Sequence, residues 1–247
     1  MTECDKLSSE MADIARESVV SAILNIKNYS EDLSAQIKKM EDEADIFEDH
    51  LGTYLVKLSQ ASLSQDDSRR ASRILHSIGN FERISDHALN LVTSAKEIAQ
   101  KSIVLSEQAL SELSILEDAV NEIVTLTIEA YKTMDSSLAA QVEPLEQVVD
   151  LLTVTIKSNH IERLQRGECT IEKGFILADL LNNFERISDH CSNIAIAIIE
   201  SDSDLFDPHE YIKSTRTADN SEFINAFNIY REKYMIKNID FPQKGAT

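Results

Sequence analysis

Tryptophan is absent from this chain of 247 residues, and glycine (5) and proline (3) are scarce. Glycine and proline interrupt regular structure, whereas leucine, isoleucine, alanine and glutamate are abundant here, so the composition favours helices. No segment alternates apolar and polar residues between turn residues, which is the pattern of a half-buried strand. The sequence therefore predicts an all-α protein with one large domain or two small ones.

Long apolar segments are also missing. The longest purely apolar run near the motifs described below, Ile194–Ile199, is far shorter than the roughly 20 residues that cross a bilayer. The N-terminal MTECDKLSSE is acidic and polar, unlike a signal peptide. Cys4, Cys169 and Cys191 form no CxxC spacing and no disulfide pattern, so we expect a protein of the reducing cytosol.

Cationic residues are few, since 24 Lys and Arg face 43 Asp and Glu, a formal net charge of −19. This charge argues against binding to nucleic acid or to anionic membranes, which attract Lys and Arg. It permits metal cations, and it repels free phosphate unless a cation lies between. The acidic excess has a simpler explanation as well, because it also keeps a protein in solution.

What the chain does contain is a repeat. The octapeptide NFERISDH occurs at Asn80–His87 and again at Asn183–His190, so the two copies begin 103 residues apart. An ExxxD pair precedes each copy, and the two pairs are 105 residues apart: Glu41 with Asp45, and Glu146 with Asp150. Such a long identity at matching positions indicates that the chain repeats one structural unit.

Each unit has three helices. Apolar periodicity predicts helices over 5–29, 32–61, 67–99, 107–134, 137–166 and 170–200. We expect Asp66 or Asp67 to cap the third helix, Gly167 to end the fifth, and Pro144 to start or kink it. The predicted division is a first three-helix bundle at 1–104, a second at 105–201, and a connector with a short helix at 202–247.

The C-terminal segment EFINAFNIYREKYM carries aromatic residues at helical spacing. Phe223, Phe227, Tyr230 and Tyr234 fall on one stripe, which predicts a short helix docked on the body of the protein. A helix that binds a partner is the alternative interpretation.

Four acidic pairs spaced i, i+4 lie beside the apolar helix faces at equivalent places in the two units. They are Glu41 and Asp45, Glu82 and Asp86, Glu146 and Asp150, and Glu185 and Asp189. Adjacent antiparallel helices can bring two such stripes into one groove, where mutual repulsion raises carboxylate pKa values and a multivalent cation relieves it. Carboxylate sites suit Fe, Mn, Mg or Ca, with Zn as an alternative. The simpler explanation is a set of solvated acidic residues.

Histidine follows the aspartate in both octapeptides. His87 and His190 are candidates for metal ligands, for hydrogen-bond partners of the aspartates, or for bridges to a neighbouring helix, and we favour the last two roles together. Asn90 and Asn193 are further candidates for supporting a metal site. Arg83 and Arg186 can pair with the aspartate three residues later, whereas His160 has no counterpart in the first unit and fits a surface position.

The motifs FERISDHALN and FERISDHCSN, each preceded by an ExxxD helix in a repeated three-helix unit, resemble the PhoU family of phosphate-uptake regulators. The resemblance covers roughly residues 5–200. It implies two three-helix bundles related by pseudo-twofold symmetry. It also implies metal ions, multinuclear iron clusters among them, held by E(D)xxxD motifs, which marks the eight carboxylates of the four pairs as ligands.

A narrower resemblance links PLEQVVDLLTVTIKSNHIERLQRGECT, FDPHEYI and EKYMI to the cytosolic C-terminal PhoU domain of bacterial Na/Pi-cotransporter-like membrane proteins. It implies a non-enzymatic, metal-binding regulatory or accessory module of phosphate transport and homeostasis, in the cytoplasm or at the cytosolic face of the membrane. The implied partners are a membrane phosphate transporter, or its transmembrane portion, and signalling proteins of the phosphate response. A homo-oligomer is a further expectation, and the chain is either a standalone relative or a fragment.

Two other functions compete with this one. The first is a metal-free helical scaffold that binds a basic protein partner through the acidic grooves. The second is an enzyme, either a di-iron carboxylate oxidase or a two-metal hydrolase. Ferritin-like di-iron sites use Glu-x-x-His, and no histidine of this chain has a glutamate three residues before it. No phosphate-cradling glycine loop is present either, so the enzyme ranks last.

Overall fold

The computed structural model describes residues 1–60, 63–202 and 221–236. Within these ranges the chain forms eight helices and no strand, which confirms the all-α prediction. The helices are α1 (Thr2–Lys27), α2 (Glu31–Ser59), α3 (Gln65–Gln100), α4 (Glu107–Thr133), α5 (Ser136–Ala139), α6 (Val142–Gln165), α7 (Ile171–Asp202) and α8 (Ser221–Lys233). Within the predicted connector and short helix at 202–247, residues 203–220 and the residues from 237 onwards lie outside the described part. None of the described helices is both long and apolar enough to cross a bilayer.

Two three-helix bundles make up the body of the protein. Helices α1, α2 and α3 pack against one another, and α4, α6 and α7 do the same in the second half. The halves meet where α3 packs along α7, with a smaller contact between α1 and α4. Buried apolar residues of both halves form one continuous core, so the repeated units share their interior rather than standing apart.

Serine residues cap the N-termini of three of the long helices. The hydroxyls of Ser30, Ser64 and Ser106 each accept a hydrogen bond from the backbone N–H three residues later. The prediction that Asp66 or Asp67 caps α3 is wrong, because both lie inside its first turn. Their carboxylates instead face the positive end of the helix dipole, where negative charge is favourable.

The predicted fifth helix is divided into two pieces. Asp135 caps the single turn of α5, and its carboxylate accepts hydrogen bonds from two backbone N–H groups of that turn. The longer α6 begins only at Val142, and Pro144 lies in its first turn, where the missing N–H costs nothing. Beyond the end of α6, Gly167 has a φ of 73°, which agrees with the predicted helix end.

The predicted apolar faces of α3 and α7 are buried. Phe81 and Phe184, which hold the same place in the two octapeptides, are both fully buried. Phe81 packs edge-to-face against Tyr131 of α4, with ring centroids 4.9 Å apart. These anchors fix the rotation of α3 and α7, and with it the direction of the acidic stripes beside the buried faces.

Helix α8 docks on the second half, as its aromatic stripe predicts. It packs against α6, and Tyr230 and Tyr234 are buried. The Tyr234 hydroxyl donates to Glu122 of α4, and the Lys233 ammonium lies 2.7 Å from the same carboxylate.

Candidate metal centre and the helix interface beside it

The groove between α6 and α7 brings three predicted ligands together. Glu146, Asp150 and Asp189 each supply a carboxylate oxygen, and these oxygens lie within 4.8 Å of one another. Glu146 is buried, and the two aspartates are half-buried. Among the described residues, this is the one group of three acidic, cysteine or histidine side chains that meets this spacing.

The fourth carboxylate of the second half, Glu185, faces a cation of its own chain. Its Oε2 lies 3.3 Å from Nζ of Lys157, and the same ammonium donates to Asn182 Oδ1 at 3.0 Å. Glu185 is therefore placed beside the three converging carboxylates but is paired with lysine in this arrangement. Lys157 follows Asp150 by seven residues and so lies on the same helix face, a spacing that could have pointed to it.

The neighbours of Asp189 have opposing effects on the pKa of its carboxyl. Burial raises the pKa of its carboxyl, the nearby Glu185 charge adds to the rise, and Arg186 opposes it. The Arg186 guanidinium lies 3.0 Å from Asp189 Oδ2, which is the i, i+3 pair expected from the sequence. Because Arg186 itself is mostly exposed, this pair can open without uncovering the core.

The first half holds its four carboxylates in one groove but less tightly. No group of three ligand atoms meets the same spacing among residues 1–60 and 63–100. The carboxylates of the first half still interact electrostatically. Burial raises the pKa of Glu41, and the charges of Asp42, Asp86 and Asp45 add to that rise. The exposed position of Asp45 on α2, against the half-buried Asp150 on α6, distinguishes the two halves.

One first-half residue was missed. Burial raises the pKa of Glu82, and the next largest contribution is the charge of Glu48, ahead of Asp86. Glu48 follows Asp45 by three residues and therefore continues the acidic stripe of α2, a signal that the sequence carried. In the second half the acidic stripe of α6 extends towards the N-terminus, because Glu143 lies three residues before Glu146. The Ser192 hydroxyl donates a hydrogen bond to the buried carboxylate of Glu143.

The two octapeptides meet each other at the α3–α7 contact. The His87 Nδ1–H donates to Asn183 Oδ1 at 2.9 Å, and the His190 Nδ1–H donates to Asn80 Oδ1 at 3.0 Å. The two imidazole rings stack, with centroids 5.6 Å apart. Each octapeptide thus supplies its first and last residue to the other copy, and the histidines bridge to the neighbouring helix.

The asparagines are held in the orientation that this exchange requires. Nδ2 of Asn80 donates to the backbone carbonyl of His76 at 2.7 Å, and Nδ2 of Asn183 donates to that of Asp179 at 2.8 Å. The amide oxygens are therefore directed at the histidines. Burial, together with the charges of His87 and two arginines, lowers the pKa of His190 to about 4, so its ring is neutral at neutral pH.

The asparagines one turn further along have weaker contacts. Asn90 Nδ2 donates to Asp86 Oδ2 at 3.4 Å, whereas Asn193 Nδ2 donates to Asn80 Oδ1 at 3.5 Å. Asn90 is thus beside a predicted ligand, and Asn193 belongs to the interface between the octapeptides.

Comparison with known proteins agrees with the duplicated plan. The family model described as PhoU domain matches residues 8–95 and again 113–198. The crystal structure of PhoU from Pseudomonas aeruginosa superposes with a TM-score of 0.75 at 20% identity, covering 81% of this chain and 95% of that one. At this identity the structural likeness establishes the fold.

Two kinds of relative share the sequence. One is the phosphate-specific transport system accessory protein PhoU homolog of Zymomonas mobilis, 26% identical over 192 residues, which are 76% of this chain and 79% of that protein. The other is a Salmonella typhimurium protein with the provisional name inorganic phosphate export protein YjbB, 24% identical over 169 residues. The match covers 66% of this chain but only 31% of the Salmonella protein, so the chain corresponds to about a third of that relative.

Proposed function

The chain belongs to the PhoU domain family, as its paired motifs predicted, and on that premise we propose that it is a non-enzymatic, metal-binding accessory module of phosphate transport. In this role it acts in the cytoplasm, at the inner face of the membrane, on a phosphate transporter or on the transmembrane portion of one. Both kinds of relative carry names that refer to phosphate transport or export, which supports the proposed role.

The observation that carries the metal proposal is the convergence of Glu146, Asp150 and Asp189. Two oxygens on opposite sides of a bound Mg²⁺ or Ca²⁺ are about 4 to 5 Å apart, since each metal–oxygen distance is about 2.1 to 2.5 Å. The three carboxylate oxygens all lie within 4.8 Å of one another and therefore suit a single ion. An all-oxygen, anionic donor set favours a hard cation such as Fe³⁺, Mn²⁺, Mg²⁺ or Ca²⁺ over Zn²⁺.

A second ion can bind beside the first if the Glu185 carboxylate releases the Lys157 ammonium and coordinates the metal instead. The first-half carboxylates Glu41, Asp45, Glu82 and Asp86 form the equivalent groove, which we propose as the weaker site because its side chains are less closely gathered. The resemblance to PhoU proteins with multinuclear iron makes iron the first metal to try. A bound cation would also let phosphate approach a protein with a net charge of −19.

The alternative function is a metal-free scaffold that binds a basic partner. It is favoured by the ion pairs of Lys157 with Glu185 and of Arg186 with Asp189, because they show that cationic side chains enter the groove. A lysine or arginine of a partner would then take the place of these intramolecular cations.

Elemental analysis separates the two functions. We expect the purified, untagged protein to carry at least one transition-metal ion per chain by inductively coupled plasma mass spectrometry. The variant Asp150→Asn/Asp189→Asn should lose most of that metal, since it removes two of the three converging charges. The repeat supplies a matched control: Asp45→Asn/Asp86→Asn makes the same changes at equivalent positions and should keep most of the metal.

Two results would count against the metal proposal. A protein that holds no metal and takes up no added Fe, Mn or Zn would favour the scaffold, as would equal metal content in both double variants.

The link to phosphate is tested separately in the source organism. Uptake of radioactive phosphate should change when the gene is deleted, and the Asp150/Asp189 variant should fail to restore it. If neither deletion nor variant alters uptake or phosphate-dependent growth, the transport role is wrong.

A further inference from the structure

A small cavity lies away from the acidic grooves, where the α6–α7 turn meets the segment before α4. Its volume is about 270 Å³. Four of the side chains that line it bear on chemistry: His160, Arg163, Cys169 and Lys173. None of them belongs to the candidate metal centre.

The sequence predicts a surface position for His160, but the structure pairs it with a thiol. Sγ of Cys169 lies 3.4 Å from Nδ1 of His160. The left-handed turn at Gly167 folds the chain back so that these side chains, nine residues apart, come into contact. Gly174 then leaves room for the ring, because a Cβ at that position would lie 2.5 Å from Nε2 of His160.

Arg163 is the second observation at this cavity. The residue is only 3% exposed, and its Nη1 donates to Glu112 Oε1 at 2.9 Å. Asn159 donates to the same oxygen at 2.8 Å, which holds the glutamate in place. Among the described residues, Nε and Nη2 of Arg163 have no hydrogen-bond partner. A buried guanidinium with unused donors stabilises negative charge that forms nearby.

The His160 ring is unprotonated and can therefore accept a proton. Burial lowers the pKa of His160, and the Arg163 charge lowers it further, although Glu112 acts in the opposite direction. The ring is therefore neutral at neutral pH and keeps a basic nitrogen for the thiol. The exposed Glu168 also lines the cavity, and its negative charge partly offsets the positive charge of Lys173. Arg163 is buried, so its guanidinium is the cation of this cavity that the protein interior holds in place.

We propose that Cys169 is an oxidant-sensitive modification site, at which His160 removes the thiol proton and the sulfur attacks a hydroperoxide. The sulfur forms a bond to one peroxide oxygen while the O–O bond breaks, so the thiol is oxidised by two electrons and the peroxide is reduced. The proton taken by His160 joins the departing hydroxide, which leaves as water when the oxidant is hydrogen peroxide. The product is a sulfenic acid, which thiols can reverse. This proposal does not depend on the metal centre.

The other two cysteines serve as internal references. Cys4 and Cys191 are 3% and 0% exposed, and burial raises the pKa of both thiols. Neither therefore offers an accessible thiolate. A difference between Cys169 and these two would show only exposure, so the decisive comparison is Cys169 in the native and in the unfolded chain.

The experiment measures sulfenic acid formation at each cysteine. The protein is treated with hydrogen peroxide, trapped with a cyclic 1,3-dione, and analysed by peptide mass spectrometry, both in native buffer and unfolded in urea. Since an ordinary thiol is only a few per cent thiolate at neutral pH, deprotonation leaves room for about a tenfold gain in rate. We expect Cys169 to react about tenfold faster in the native protein than in the unfolded chain.

Variants connect the rate to its cause. His160→Gln should bring the native rate down to the unfolded rate, whereas His76→Gln, at an exposed histidine of α3, should leave it unchanged. Gly174→Ala provides a second route, because it displaces the ring while improving helix propensity. A native rate no higher than the unfolded rate would overturn the proposal. So would full reactivity in both the His160 and the Gly174 variants, or reaction with glutathione disulfide but not with peroxide.

Discussion

At the scale of single residues, the two octapeptides contact each other across the α3–α7 interface. A residue on a pseudo-twofold axis meets its own counterpart, as the stacked rings of His87 and His190 do. Each asparagine then meets the histidine of the opposite copy. A change of the asparagine or the histidine in one copy alone leaves a donor or acceptor of the other copy without its partner, which gives a physical reason for the identity of the two segments at their first and last positions.

The first prediction concerns these asparagines. Asn80→Ala removes the acceptor of the half-buried His190, and Asn183→Ala does the same for His87. We expect each change to lower the free energy of unfolding by about 1 kcal/mol, the usual cost of a lost hydrogen bond with one partner left behind. Urea unfolding in metal-free buffer, followed by circular dichroism, measures it.

Asn90→Ala is the matched control for the asparagine changes. Asn90 is exposed on α3 and makes only a 3.4 Å contact with Asp86, so its loss should change stability by less than about 0.5 kcal/mol. If all three alanine variants unfold at the same urea concentration as the parent protein, the exchange between octapeptides contributes nothing to the interface.

The sequence located these residues but not their contacts. Periodicity placed the eight carboxylates off the core face of each helix, and spacing alone grouped them by halves. It could not show that Glu146, Asp150 and Asp189 converge while the first-half carboxylates stay further apart, because that depends on how deeply α6 is buried against α7. The contact between Cys169 and His160 could not be predicted from the sequence either, because it depends on the path of the turn between them.

At the scale of helices, the start of α3 shows which residue caps the helix that carries the first octapeptide. Gln65 is the first residue of α3, and Ser64 before it is the N-cap, whose hydroxyl accepts a hydrogen bond from the Asp67 N–H at 3.1 Å. Asp66 or Asp67 was the predicted cap because Asp is a good capping residue in general. Ser64 takes the cap instead, two residues before Asp66, and both carboxylates then have a favourable place in the first turn. Periodicity still gave the correct order of the long helices, but it could not detect the four-residue α5.

The second prediction tests this cap. Ser64→Ala removes the side-chain acceptor for the first turn of α3 and should lower the free energy of unfolding by about 1 kcal/mol. Ser68→Ala makes the same substitution four residues later, at an exposed position inside the helix, where alanine has the higher helix propensity. Urea unfolding should therefore show a loss for the first variant and no loss for the second. A greater loss in Ser68→Ala would show that the helix begins elsewhere.

At the scale of the whole molecule, the question is whether the two halves unfold separately. The sequence predicts two bundles, at 1–104 and 105–201, and the family match also falls into two segments. Yet α3 and α7 pack along each other, and the buried residues form one cluster that runs through both halves. Tyr131 of α4 reinforces this union, because it contacts Phe81 of α3 and its hydroxyl donates to Ser8 of α1 at 2.9 Å. Separating the halves would expose these contacts to water.

The last prediction is therefore that the chain unfolds as one cooperative unit. Because it contains no tryptophan, a single introduced tryptophan reports on its own half. Phe47→Trp on α2 and Leu126→Trp on α4 replace residues that are partly buried against the core. We expect the fluorescence transition of each variant in urea to coincide with that variant's own helical transition by circular dichroism, as two-state unfolding requires. If one half lost its fluorescence signal at a clearly lower urea concentration than the helical signal, the halves would be separate folding units. The α3–α7 contact would then be a docking interface between domains rather than a shared core.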